Sequence, residues 1–149
     1  MALELPKDAL LALCAVGWAD DVLAPEEGVA LLHAARDAGL GPDDIAEIER
    51  ATKTKITIPE IETIRLSRGD RVITYALATW LARLDGVVTP EERDSLVLLG
   101  DRLGLPDGVR TRASAAAFEV AQADDRPERY DFDALKARLI AKRGDVEAE

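Results

Sequence analysis

Apolar residues recur at helical spacing along almost the whole chain, and proline and glycine mark where each run starts and stops. The first run predicts a helix from about Asp8 to Ala19. Pro25 opens a second helix that ends at Gly39. Pro42 opens a third that ends near Thr52, with Asp43 and Asp44 in its first turn, where the helix dipole favours negative charge. In KTKITIPEIETI, Ile56 and Ile58 alternate as in a strand, but Pro59 followed by EIETI predicts a short helix. A lone short strand would have nothing to pair with. In RGDRVITYALATWLARLD, Val72, Ala76, Trp80 and Leu84 form one apolar row, with Ile73, Leu77 and Leu81 beside it. Two adjacent rows make a wide stripe, the mark of a central core helix. Pro90 opens the next helix, which ends at Gly104. Asp107 can cap VRTRASAAAFEVAQ, and the acidic, proline-containing stretch ADDRPERYD breaks it. A last helix, about Asp133 to Arg143, presents Leu135, Leu139 and Ile140 before a tail, DVEAE, that should fray. The reading is all-α: about seven helices in one domain spanning residues 1–149, with 123–149 a C-terminal helical extension and frayed tail.

The chain also repeats itself. WADDVLAPEEGVALLHAARDAGL matches RLDGVVTPEERDSLVLLGDRLGL without a gap at an offset of 65 residues. Asp20 falls on Asp85, Val22 on Val87, Pro25-Glu26-Glu27 on Pro90-Glu91-Glu92, and Gly39-Leu40 on Gly104-Leu105. Each copy reads as a helical hairpin: core helix, acidic turn, proline-started helix, glycine stop. Two copies predict a bundle of two hairpins related by a pseudo-twofold axis, with antiparallel neighbours joined by short connections.

This doubled pattern, D-[DG]-V-[LV]-x-P-E-E after an apolar helix and G-L at the end of the next, resembles the TerB-like tellurite-resistance family over about Leu10 to Val120. The second copy fits best. The first carries Asp21 where the family has glycine, and Ala24 at the cap; in the second, Leu84 stands where a small residue precedes the Asp-Gly pair. The resemblance implies a small all-helical bacterial protein that takes part in the response to tellurite and related stress, as an intracellular, non-enzymatic module.

Composition narrows the partners. Hydrophobic residues are 48% and charged residues 32%, as in an ordinary globular domain, while aromatics are only 4%. The net charge of −10 argues against nucleic acid and anionic membranes, and favours cations or basic protein surfaces. A single cysteine, Cys14, excludes an internal disulfide and suits a reducing compartment. The N-terminal residues lack a basic region and a cleavage site, and no apolar run is long enough to insert in a membrane. The expected location is cytoplasmic.

The acidic motif carries the candidate chemistry. LDGVVTPEE looks like part of a calcium loop, but aligning Gly86 with the invariant glycine puts Leu81 and Arg83 at ligand positions, and neither can ligate. Thr89-Pro90-Glu91-Glu92 reads instead as a capping box, with proline at the first helical position. That structural account leaves one feature over. Asp85 continues the row Ile73, Leu77, Leu81, and Glu92 shares a face with Leu96, Leu99 and Leu103. Asp20 likewise follows Ala12 and Val16, and Glu27 precedes Leu31 and Ala38. Both copies aim an Asp and a Glu inward, where carboxylates need partners. Asp20, Glu27, Asp85 and Glu92 are therefore the candidate metal ligands, a hard oxygen set suited to magnesium, calcium or manganese. Pairing with Arg71 or Arg83 is the competing use.

Other residues add little. His33 lies mid-helix opposite Leu98 of the second copy, Cys14 reads as a small core residue, and Trp18 and Trp80 read as packing anchors. No Gly-x-Ser-x-Gly elbow or phosphate-binding glycine loop is present, so nothing points to catalysis. The rival to a cation-responsive module is an acidic helical adaptor for a protein partner, with the motif purely structural.

Overall fold

The computed structural model describes residues 5–19, 23, 25–58, 61–63, 66–83, 89–121, 134–135 and 137–139. These residues are all-helical, with no strand among them. Six α-helices follow in order: α1 (Lys7–Gly17), α2 (Pro25–Asp37), α3 (Pro42–Ala51), α4 (Arg68–Leu81), α5 (Pro90–Arg102) and α6 (Asp107–Ala121). Further helical turns stand at 134–135 and 137–139, within the expected last helix. There Leu135 is fully buried, and Arg138 hydrogen-bonds Glu119 on α6. Asp133, Ile140 and the 140–149 tail lie outside the described residues.

Punctuation set the boundaries. Pro25, Pro42 and Pro90 are each the first residue of a helix. Asp107 is the first helical residue of α6 rather than its cap. Gly39 and Gly104 adopt φ of 76° and 69°, the left-handed conformation that turns a chain off a helix end. Their N–H groups donate to Arg36 and Asp101, the same bond at the same offset. Helices α2 and α5 therefore coincide end to end at 65 residues, and so do the starts of α3 and α6. The repeat thus extends into a third helix, where the sequences have almost nothing in common. The packing around these helices is unequal: α6 lies along α4 far more extensively than α3 along α1. The two halves meet where α1 packs on α4.

One continuous core runs from Leu5 to Leu135. The rows on α4 are buried at Ile73, Ala76, Leu77, Trp80 and Leu81, and Val72 is half-buried; Leu84 lies outside the described residues. Ile48 and Ala113, which correspond across the repeat, are both fully buried.

The segment between α3 and α4 departs from expectation. Among its described residues Ile58 stands in a 3-10 turn and 61–63 are not helical, with Ile61 N–H donating to Ile58 O at 3.0 Å and Leu66 N–H to Thr63 O at 3.1 Å. Pro59, where the helix was to start, lies outside the described residues. Two arginines hold the segment. Arg71 Nε donates to Leu66 O at 3.0 Å and its Nη2 to Thr63 O at 2.9 Å. Arg102 donates to Ile61 O through Nε at 3.1 Å and Nη2 at 2.7 Å. Side-chain donors, Arg71 on the helix that follows and Arg102 from 41 residues on, satisfy carbonyls that a helix ladder would otherwise pair.

Candidate functional site

Of the four carboxylates expected to face inward, two fall on described helices, and both are buried: Glu27 is 4% exposed and Glu92 3%. Each is the third residue of a helix that proline opens, Glu27 in α2 and Glu92 in α5. Their burial follows from the helical period, which places them below Leu31 and Leu99, both fully buried.

Glu92 completes a capping box. Thr89 N–H donates to Glu92 Oε1 at 3.1 Å, and Glu92 N–H donates to Thr89 Oγ1 at 3.1 Å. One carboxylate oxygen is thereby committed to the helix start. Glu27 is housed differently. Its Oε2 lies against Gly17 at the end of α1, so close that a Cβ there would stand 3.1 Å from it and 3.1 Å from Leu23 Cδ1. The missing side chain of Gly17 makes room for the carboxylate. The corresponding residue of the second half is Ala82, which is buried.

The arginines weighed as partners have described contacts of their own. Besides its two bonds to the linker, Arg71 donates through Nη1 to Leu103 O at 3.0 Å, clamping the end of α5. Arg83 lies over the ring of Phe118, 4.3 Å from its centroid. Asp20, Asp85 and Ala24 lie outside the described residues, as do the turns 20–22 and 84–88. Glu27 and Glu92 are thus the members of the set with a described environment. Among the described residues, no group of three or more His, Cys, Asp or Glu side chains is placed to hold a metal ion. Cys14 is fully buried, and that burial pushes its thiol up to about 12. A thiol so held is a core group rather than a nucleophile.

A second feature was not anticipated. A cleft of about 340 Å³ opens between the end of α1, residues 55–58 and the outer face of α5. Trp18, Ile56, Ile58 and Leu98 supply its apolar lining, with Glu91 and Asp94 on the α5 side and Lys55 among the residues opposite. The indole of Trp18 is fixed, because its Nε1–H donates to Ala51 O at 2.7 Å. Leu98 is 45% exposed, and Val97 beside it 56%. A signal for this was present in Leu96-Val97-Leu98-Leu99: four successive apolar residues span more than one side of a helix, so some must face outward.

No helix among the described residues is long and apolar enough to cross a membrane. Comparison of the chain with protein-family models, curated proteins and solved structures finds no match.

Proposed function

We propose that this chain is a non-enzymatic, cation-responsive helical module of the TerB-like kind, acting in the cytoplasm in a response to tellurite and related stress. The observation that carries the cation reading is the burial of Glu27 and Glu92 at the same position of two helices started by matching prolines. Carboxylate oxygens are the ligands a hard divalent cation takes, and the repeat offers them in matching pairs. Asp20 and Asp85 complete the proposed ligand set. The doubled Asp-to-Glu motif supports the family context.

The test is calorimetric titration with calcium, magnesium, manganese and zinc, together with melting in cation and in chelator. At a cation concentration about a hundred times Kd, stabilisation should be about 2.7 kcal/mol, which raises Tm by about 5–10 °C for a chain this size. Glu92→Gln should keep the stability of the chelated protein, since Gln also serves in a capping box, yet lose most of the cation effect. No heat of binding, with Tm unchanged by chelator, would sink the reading. Deletion of the gene followed by tellurite challenge tests the physiological part.

A second reading is favoured by the outer face of α5, where exposed Val97 and Leu98 stand beside exposed Glu91 and Asp94 on a chain of net charge −10. Under it the chain is an acidic adaptor for a basic protein, and its association weakens as salt rises.

A further inference from the structure

We infer that the cleft between Trp18, Ile56 and Leu98 is a docking site for a basic amphipathic segment of a partner protein, one apolar side chain entering the cleft while flanking Lys or Arg residues meet Glu91 and Asp94. The inference rests on the adaptor reading and is independent of cation binding.

Three observations converge on that occupant. The first is shape. The cleft's volume of about 340 Å³ is at the lower end of the range for ligand pockets and has room for an apolar side chain or two. Its walls come from three separate parts of the fold, and α1 packs directly against α5. The second is rigidity. Trp18 is pinned to the end of α3 by its 2.7 Å bond to Ala51 O, and Ile58, which also lines the cleft, is 3% exposed. An aromatic wall already held in place orders little on binding, which favours affinity. The third is charge. Of the charged residues lining the cleft two are acidic, Glu91 and Asp94, against one basic, Lys55 on the opposite wall, and Glu91, Asp94 and Leu98 fall on one face of α5 at helical spacing, so the acidic groups and the apolar lip are presented side by side. An apolar anchor bracketed by basic residues matches that order, as a helix laid in a groove would. A basic surface with no apolar residue would leave Leu98 uncovered, and an apolar acidic one would be repelled along the Glu91–Asp94 edge.

The probe is a labelled synthetic helix with one Leu row flanked by Lys, titrated into the full-length protein and read by fluorescence anisotropy. Binding is expected, and it should weaken as salt rises. Leu98→Asp and the pair Glu91→Lys with Asp94→Lys should each weaken it about tenfold or more. All three positions are exposed, and an unchanged melting point and helical content establish that the fold is kept. Val29→Asp, at an exposed apolar position on α2, should leave the affinity unchanged. A peptide with the same charge and Ala in place of Leu should bind about tenfold more weakly. If Leu98→Asp binds as tightly as the parent, or if Val29→Asp carries the loss instead, the cleft assignment is overturned while the adaptor reading survives. Equal binding of the Leu and Ala peptides overturns the cleft in favour of charge attraction alone. Absence of binding by either peptide at low salt overturns both.

Discussion

At the scale of the residue, Cys14 shows how a group that invites a chemical reading is claimed by the core. It lies in α1 with every side of its side chain covered. Desolvation disfavours the thiolate, which raises the thiol from 9.0 to about 12. The thiol should therefore resist alkylating and disulfide reagents near pH 8 until the protein unfolds. The same shift has a consequence for stability. Below about pH 9 the thiol is protonated in both states, so it contributes no pH dependence. Between about pH 9 and 12 the unfolded chain releases the proton and the folded chain keeps it. Stability then falls by about 1.4 kcal/mol per pH unit on account of this group, and the slope ends once the folded thiol also ionises. Cys14→Ala should unfold in urea with a shallower alkaline decline than the parent, the difference vanishing near neutral pH. Identical slopes would mean that folding does not perturb the thiol.

At the scale of the element, what could be read in advance was what neighbouring residues decide. Proline at a first helical turn, glycine at a left-handed exit and the Thr89–Glu92 box act within a few residues, and the helices begin and end where they stand. The period of the apolar rows likewise placed Glu27 and Glu92 on the buried side. Residues 61–63 are not helical where a helix is expected, because side chains outside the segment hold it: Arg71 from the next helix and Arg102 from 41 residues on. Its β-branched residues and proline give a helix weak support, and its carbonyls are satisfied by Arg71 and Arg102 from α4 and α5. No local pattern announces that an arginine will stand in for a backbone ladder. Both α3 and α6 are expected from the sequence, but their correspondence across the repeat is hidden there. Ile45 of α3 corresponds to Arg110 of α6, whose guanidinium lies so close over Gly100 that a Cβ there would meet it at 2.6 Å. An apolar residue in the first half stands where the second has a charged one, so the positions match while the residues do not. Arg71 provides the test. Its three donors reach Leu66, Thr63 and Leu103 at once, which the point charge of a lysine cannot do. Arg71→Lys should lower the unfolding free energy by about 1–3 kcal/mol, read as a reduced urea midpoint. An unchanged midpoint would show that water satisfies those carbonyls equally well.

At the scale of the whole molecule, the question raised by the repeat is whether two similar halves fold as one body. Helix boundaries recur at a fixed offset, as they do in arrays whose units have separable stabilities. The packing argues the other way. Helix α1 of the first half lies on α4 of the second and also touches α5, and a single cluster of buried side chains extends through both. Leu77, fully buried on α4, belongs to that shared cluster. Truncating it should leave a cavity that both halves feel, at a cost of about 2–5 kcal/mol. The tryptophans report the halves separately, Trp18 at the end of α1 and Trp80 within α4. With Trp18→Phe and Trp80→Phe as single-tryptophan backgrounds, each probe should unfold at the midpoint seen by circular dichroism, as a two-state transition requires. Leu77→Ala should then lower both midpoints together. Were the Trp80 signal to fall while Trp18 kept its midpoint, the halves would be distinct cooperative units, and the α1–α4 contact would be a docking surface between them rather than the centre of one core.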